Sequence, residues 1–335
     1  MRVVVTGGCG FIGRNLLELA RARGAQVRVL DDLSAGTSDD LGAFGPVERL
    51  DAGAAGYVWS DGIQTLRADI RDLAAVAKAC RGAEGVVHLA ASTGIADSLA
   101  NPIAHASANV LGTVVVLEAC RQQGVARCVV ASSGAAVGDV TPPMHERLVP
   151  NPVSPYGASK LAAEAYCLAY RGSFGLGAVA LRFSNVYGPH SGHKTSVVAG
   201  FIGRILDGQT LTIYGDGRQT RDFVFVGDLA GAIWAALTAG RVPEGVYQIA
   251  SGVETSVNDL FGLLGGLAEA RLGRRPAVEY RPTRAGEVAR NFADITRART
   301  DLGFSPVTPL RLGLETTFDW FLAERRARPR HPPRD

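Results

Sequence analysis

Short runs of apolar and β-branched residues alternate with longer stretches of helical periodicity over the first two-thirds of the chain, the pattern of βαβ units around a parallel sheet. The runs RVVVT (2–6), QVRVL (26–30), TLRAD (65–69), GVVHLA (85–90), RCVVAS (127–132) and GAVALRF (177–183) predict strands. Most are apolar without alternation, as expected when helices cover both faces of the sheet. Apolar positions recur at helical spacing over 11–24, 101–124 and 154–175, and each of these stretches ends near a glycine. After residue 184 the elements shorten and Gly and Pro turns multiply. The pattern therefore predicts an α/β fold, a Rossmann-type doubly wound parallel sheet over 1–184 with a smaller C-terminal α/β substrate lobe over 185–324. Residues 225–252, with EGVYQIAS (244–251), are expected to return to the large sheet. The Pro- and Arg-rich end, 325–335, reads as a disordered basic tail.

Composition narrows the classes. The 335 residues are 47% hydrophobic and 20% charged, enough to bury a full core. A net charge of +3 from 35 basic and 32 acidic residues gives little attraction to polyanions, so no nucleic-acid partner is expected. No apolar run is expected to reach the roughly 18–20 residues of a membrane span, and MRVVVTGG is read as leaving no room for a signal peptide. Neither a membrane association nor secretion is expected. The five cysteines, Cys9, Cys80, Cys120, Cys128 and Cys167, lack paired spacing and read as free thiols of a reducing cytoplasm.

Two stretches carry candidate chemistry. VTGGCGFIG follows the first predicted strand and opens the first helix, with Gly7, Gly10 and Gly13 three residues apart and Phe11 and Ile12 between the last two. Such glycines supply a tight turn, a bare backbone against a pyrophosphate and close helix–strand packing, while the helix N-terminus faces the anion. Asp31, 18 residues beyond Gly13, ends the second predicted strand, where a carboxylate accepts the hydroxyls of an adenosine ribose. With Asp32 beside it a 2′-phosphate would be repelled, so NAD is favoured over NADP. Arg28 is two residues upstream, and strand alternation assigns it to a different part of the surface. The second stretch is VSPYGASKLAAEAY (153–166), which sets Tyr156 and Lys160 one helical turn apart. A phenol of pKa about 10 becomes a usable base when an ammonium and a positive nicotinamide ring favour its ionised form.

The GxxGxxG spacing and the Tyr-x-x-x-Lys pair resemble the extended short-chain dehydrogenase/reductase family, in its nucleotide-sugar epimerase/dehydratase branch. The likeness runs through RADIRD (67–72), VVHLAA (86–91), NVLGT (109–113), SPYGASK (154–160), LRFSNVYGP (181–189), YGDGRQTRDFVFVGDLA (214–230) and RAGEVARNFADITRARTDLGF (284–304). It implies that Asp69 and Ile70 border the adenine and that Leu89, Ala90 and Ala91 line the pyrophosphate and ribose. Asn109 counts among the cofactor-site residues and positions the catalytic helix. Counting back from Gly138 makes Ser133 the catalytic hydroxyl, with Ser132 a packed or capping one, although Val137 stands where relatives usually have Tyr.

The residues after Ser133 discriminate among reactions. Dehydratases of this branch carry an Asp-Glu pair there, decarboxylases a Glu at the position of Ala135, and some synthases a Cys directly after the Ser. Gly134 and Ala135 supply none of these. What remains is chemistry that needs only Ser133, Tyr156, Lys160 and NAD, which looks like 4-epimerisation; a UDP-sugar decarboxylase, dehydratase or reductase drawing its acid or base from elsewhere, and a non-catalytic NAD-sensing protein of the same fold, stay open as alternatives. The resemblance further implies a UDP-sugar substrate contacted by Ser133, Gly134, Asn185, Arg221 and Arg284, and a homodimer formed through helices 101–124 and 154–175. Two histidines, His190 and His193, lie in one loop without a third ligand, so no metal is expected. His88, inside an apolar run, reads as a packed residue. The hexose is open between UDP-glucuronate/UDP-galacturonate, slightly favoured by the neighbouring Lys194, and UDP-glucose/UDP-galactose.

Overall fold

The structure is a computed structural model that describes residues 1–283 and 288–327. Its strands are β1 (Arg2–Thr6), β2 (Gln26–Asp31), β3 (Val47–Arg49), β4 (Ile63–Arg67), β5 (Gly85–His88), β6 (Arg127–Ser133), β7 (Gly177–Phe183), β8 (Asn185–Tyr187), β9 (Leu211–Tyr214), β10 (Thr220–Arg221), β11 (Phe223–Phe225), β12 (Val246–Ile249), β13 (Thr255–Ser256) and β14 (Val278–Arg281). The helices are α1 (Phe11–Ala22), α2 (Leu73–Cys80), α3 (Ile95–Ala100), α4 (Pro102–Ala106), α5 (Gly112–Gln122), α6 (Pro155–Phe174), α7 (Val197–Leu206), α8 (Val226–Thr238), α9 (Val257–Leu272), α10 (Thr296–Leu302) and α11 (Leu310–Ala327).

Eight strands form one parallel sheet in the order β12-β7-β6-β5-β1-β2-β4-β3. Each central strand feeds two cores. In β1, Val3 and Val5 point into the layer shared with α1 and α8, while Val4 points into the layer shared with α2, α5 and α6. This double burial is why the strands read as unbroken apolar runs. A third core, with Tyr187, Ile202, Leu211, Phe223, Leu264 and Phe318, holds the smaller lobe together. That lobe is built on three two-stranded pairings, β8 with β11, β9 with β14 and β10 with β13.

Several boundaries differ from the sequence reading. The strand expected at 65–69 runs from Ile63 to Arg67, because Asp69 accepts the backbone N–H of Arg71 and turns the chain. The helix expected over 101–124 is α4, a π-helical turn over Ser107–Leu111, and α5 in continuous succession. Taken as one, Pro102–Gln122 is long and apolar enough by composition to cross a membrane, a run the sequence reading had not recognised. Its buried residues, among them Val116, Leu117 and Cys120, belong to the α2–α5–α6 layer of the core. Helix α11 reaches Ala327, so Arg325, Arg326 and Ala327 are helical where the tail was expected to begin. Arg28 also departs from expectation. It is fully buried, with its guanidinium 4.0 Å from the Trp59 ring and donating to Gln64 Oε1 and to the carbonyl of Ala79. Burial lowers its pKa to about 10.

Candidate active site

The ends of β1, β2, β4, β5 and β6 open on one cavity of about 370 Å³, at the carboxyl edge of the parallel sheet where such folds bind ligands. Gly7, Gly10, Phe11, Ile12 and Gly13 form one wall. A Cβ on Gly13 would stand 2.5 Å from the carbonyl oxygen of Gly7, so this glycine is required by backbone packing. Gly10 differs, since a Cβ there would meet only the Gly7 carbonyl oxygen, at 3.3 Å. Its bare backbone faces the cavity, which is the surface a pyrophosphate needs.

Asp31 lies at the end of β2, where its carboxylate accepts the N–H of Cys9 at 2.9 Å and of Leu33 at 2.8 Å. Burial raises its pKa, and these hydrogen bonds oppose the rise. Asp32 accepts both the N–H and the hydroxyl of Ser34 and also lines the cavity. Asp69, held below the usual carboxylate range by Arg71, continues the wall with Ile70, and Leu89, Ala90 and Ala91 close the opposite side. These residues fit a dinucleotide: an anion cradle, then a carboxylate pair, then an apolar slot.

Of the catalytic candidates, Tyr156 and Lys160 line the cavity, as do Ala131 and Ser132 near the end of β6, whereas Ser133 is not among its lining residues. Ser154 caps α6 by accepting the N–H of Gly157, and Pro155 occupies the first turn. A Cβ on Gly157 would lie 2.3 Å from the carbonyl oxygen of Ala135, so only glycine allows the first turn of α6 to press against the turn after β6. This contact sets Tyr156 beside Ser133, whose hydroxyl accepts the N–H of Ala135 and acts on the phenol. Burial pushes the phenol above its ordinary value, and the neighbouring Ser133 hydroxyl pulls in the other direction. Lys160 is 6% exposed and donates from Nζ to the carbonyl of Ala131 at 3.0 Å. Its pKa falls to about 8 because it is buried, with Glu164 opposing the fall.

Besides Ser133, four expected site residues stand off the cavity wall, namely Asn109, Gly134, Asn185 and Arg221. Asn109 is not on the cavity wall. It lies in the π-helical turn behind it, 1% exposed, with its side chain bonded to both backbone groups of Ser92 and to the hydroxyl of Ser159. Ser159 in turn donates to the carbonyl of Tyr156, so Asn109 touches the catalytic helix and not the cavity. Asn185, in β8, and Arg221, in β10, belong to the smaller lobe and lie outside this cavity. Arg221 donates to the carbonyls of Thr220 and Val288. Its neighbour Asp222 is fully buried and accepts hydrogen bonds from Ser251, Gly252 and Ala293, tying the lobe to the end of β12. Gly134 is buried beneath Met144, beside Ser133. Arg284 lies outside the described residues.

His88 proves to be more than packing. Its Nε2 lies 3.1 Å from the Thr113 hydroxyl, whose single hydrogen is given to the carbonyl of Asn109, so Nε2 must donate. Burial and the Lys160 charge lower its pKa to about 3, so the ring is neutral and Nδ1 accepts from Thr6, 2.7 Å away. One directed chain of bonds thus runs from the end of β1 to the turn that carries Asn109.

Sequence reading also missed how much of the wall comes from afar. Arg71, Thr93, His193 and Lys194 all line the cavity, and Lys194 Nζ lies 3.4 Å from the Thr93 hydroxyl. A signal was available. Only three of the 35 basic residues are lysines, Lys78, Lys160 and Lys194, and two of the three line this cavity. His190, by contrast, is wedged between Phe44 and Trp320.

Residues 3–250 match the NAD dependent epimerase/dehydratase family. The UDP-glucose 4-epimerase of Mycolicibacterium smegmatis is 36% identical over 326 residues, covering 96% of this chain and 98% of its own. A dTDP-glucose 4,6-dehydratase of Streptomyces antibioticus is 34% identical over 355 residues, covering 100% and 99%. Among solved structures, MoeE5 in complex with UDP-glucuronic acid and NAD is 34% identical with a TM-score of 0.81, covering 97% of this chain and 100% of that one. The same protein is also known in complex with UDP-glucose and NAD. With its eight-stranded parallel sheet, its dinucleotide-shaped cavity and these relatives, the chain belongs to the NAD-dependent epimerase/dehydratase family, with NAD as its cofactor.

Proposed function

We propose that this protein is a UDP-sugar 4-epimerase. The observation that carries the reading is the Ser133–Tyr156–Lys160 group beside a turn, Gly134–Ala136, that offers no side chain able to act as a second acid or base. A dehydratase or decarboxylase needs such a group to move a proton at C5 or to assist loss of a carboxylate. Here the chain supplies one proton relay. Ser133 bridges the C4 hydroxyl to Tyr156, which takes the proton as the C4–H bond breaks and returns it when that bond reforms on the other face. Bound NAD supplies the hydride acceptor and donor. Lys160 holds positive charge near the phenol and orients the ribose, while the Ser133 hydroxyl opposes the upward push that burial gives Tyr156. Asp31 and Asp32 favour NAD over NADP, and the nucleotide extracted from denatured protein tests this; NADP as the dominant species would overturn it.

The smaller lobe, 185–324 in the sequence reading, takes the UDP-sugar. Asn185 and Arg221, with Arg284, contact the diphosphate, for which planar guanidinium groups suit bidentate recognition. Of the two substrate pairs, UDP-glucuronate/UDP-galacturonate is slightly favoured. Lys194 brings to the cavity a partly buried ammonium with no carboxylate partner among the described residues, and its pKa is lowered by burial, so a C6 carboxylate would stabilise its charge. UDP-glucose/UDP-galactose is the second reading, because Gly192 brings no further cation from the same loop. Comparing kcat/KM for the two pairs decides between them. A tenfold advantage for UDP-glucose, about 1.4 kcal/mol in transition-state binding, rules out the uronate. Lys194→Met should cost the uronate about tenfold in kcat/KM and leave UDP-glucose nearly unchanged.

The active form is proposed to be a homodimer. Ile95, Leu99, Ile103 and Leu111 on α3 to α5, with Tyr166, Leu168 and Phe174 on α6, expose apolar surface that twofold mates can bury. A light-scattering mass of one chain would refute the dimer. A cytoplasmic location accords with five free cysteines, all buried.

A further inference from the structure

Helix α6 continues its spacing by one more turn. Glu164 follows Lys160 at the interval by which Lys160 follows Tyr156, and it is 2% exposed. Arg182, itself 4% exposed on β7, donates from Nε to Oε1 at 2.8 Å and from Nη2 to Oε2 at 2.7 Å. Ser132, opposite Arg182 in the β6–β7 register, donates its hydroxyl to the same Oε1. A buried ion pair is a poor source of stability, because desolvating both charges offsets their attraction. This one is not even fully satisfied, since Arg182 Nη1 and Gln248 Nε2, on adjoining strands in register, have no hydrogen-bond partner among the described residues. The arrangement calls for a reason other than stability, and its position offers one. Ser132 lies between Ala131, whose carbonyl receives the Lys160 ammonium, and Ser133, whose hydroxyl meets Tyr156.

We propose that Glu164 is a positioning residue for Lys160. Gripped by Arg182 and Ser132, its carboxylate clamps the end of β6 to the helix that carries Tyr156 and Lys160, and its charge keeps the neighbouring ammonium protonated. The inference rests on the Tyr156–Lys160 reading of catalysis given above. Burial works against the ammonium, and Glu164 is the group that opposes it. The other charged or titratable groups near Lys160 are Tyr156 on its own helix, the neutral His88 at the end of β5, Lys194 across the cavity, and Arg182 behind Glu164. Elements packed against α6 further hold Asp97 on α3, His105 on α4, Glu118, Cys120 and Arg121 on α5, and Arg127 and Cys128 on β6.

With three lysines in the chain, protein labelled with ¹⁵N at lysine Nζ gives three signals, and Lys160→Met identifies the one from Lys160. In the NAD-loaded enzyme, Glu164→Gln should lower the Lys160 titration midpoint by about one pH unit, the size of a unit charge lost one turn away at a screened interior dielectric. The alkaline limb of kcat should move down with it, while KM for the UDP-sugar changes less than about twofold. Glu164→Asp, which keeps the charge, should restore the midpoint. Ser132→Ala should leave the midpoint in place and lower kcat severalfold, since it loosens the clamp without removing charge. An unmoved Lys160 midpoint in folded Glu164→Gln overturns the proposal. Should that variant not fold, wild-type kcat in Ser132→Ala overturns it instead. If Tyr156→Phe stays active, the underlying catalytic reading has failed, whatever Lys160 does.

Discussion

The half of the molecule built on the eight-stranded sheet and the smaller lobe hold their candidate residues in different ways. Ser133, Tyr156 and Lys160 stand on the end of a seven-residue strand and the first turns of a 20-residue helix, with Lys160, Glu164, Asn109 and His88 all below a tenth exposed. Asn185 and Arg221 stand on strands of three and two residues, half-buried and joined by short pairings. Rigid placement suits groups that must meet a transferring proton within tenths of an ångström. Short strands and loops suit groups that select and release a substrate, because they can be altered without disturbing the sheet. The comparison teaches that substitutions in the first region should move kcat or cofactor content, and those in the second KM.

The largest expected break is Tyr156→Phe, which removes the proton acceptor with little volume. Turnover should fall by about 10²–10⁴ while bound NAD is retained. Activity above roughly a tenth of wild type would remove phenolate catalysis from consideration. Next comes Gly13→Ala, whose Cβ meets the backbone of Gly7 and Gly8 at 2.5–2.6 Å. Overpacking of about 1–3 kcal/mol, concentrated in the cofactor loop, should weaken NAD about ten- to a hundredfold. Equilibrium dialysis with NAD measures it, and unchanged affinity would sink the account of the loop. Arg221→Met tests the smaller lobe. KM for the UDP-sugar should rise about tenfold with kcat nearly kept, and a fall in kcat at constant KM would erase the distinction between the two regions.

The smallest effect concerns His88. Its folded pKa, about 3, lies below the ordinary value of 6.5, so in this window the unfolded chain binds the extra proton. The contribution to stability is complete above about 6.5 and is lost progressively as pH falls towards about 3. Urea unfolding of His88→Gln should therefore lose less stability than wild type between pH 6.5 and 4.5. A parallel loss in both proteins would mean that His88 is protonated in the folded state.

Local order left clear marks in the sequence. The glycine loop, Asp31 at a strand end and the Tyr156–Lys160 spacing were legible because each is set by neighbours within a turn or a strand, where period and turn chemistry act directly. The parallel sheet was legible for the same reason, since burial on both faces writes unbroken apolar runs. What the sequence could not disclose are the partners brought in by strand order. Arg28 lies with Gln64 and Trp59, Thr6 with His88, Ser132 with Glu164, and Lys194 with Thr93, at separations of 31 to 101 residues. The partners of Asn109 were hidden likewise, because a π-helical turn, invisible to a 3.6-residue period, turns its side chain to Ser92 and Ser159. The chemistry was thus fixed locally, by which residue types stand one turn apart. Its tuning was decided only in three dimensions, because the burial that shifts Tyr156 and Lys160, and the carboxylate that steadies them, exist only once β6, β7 and α6 have packed together.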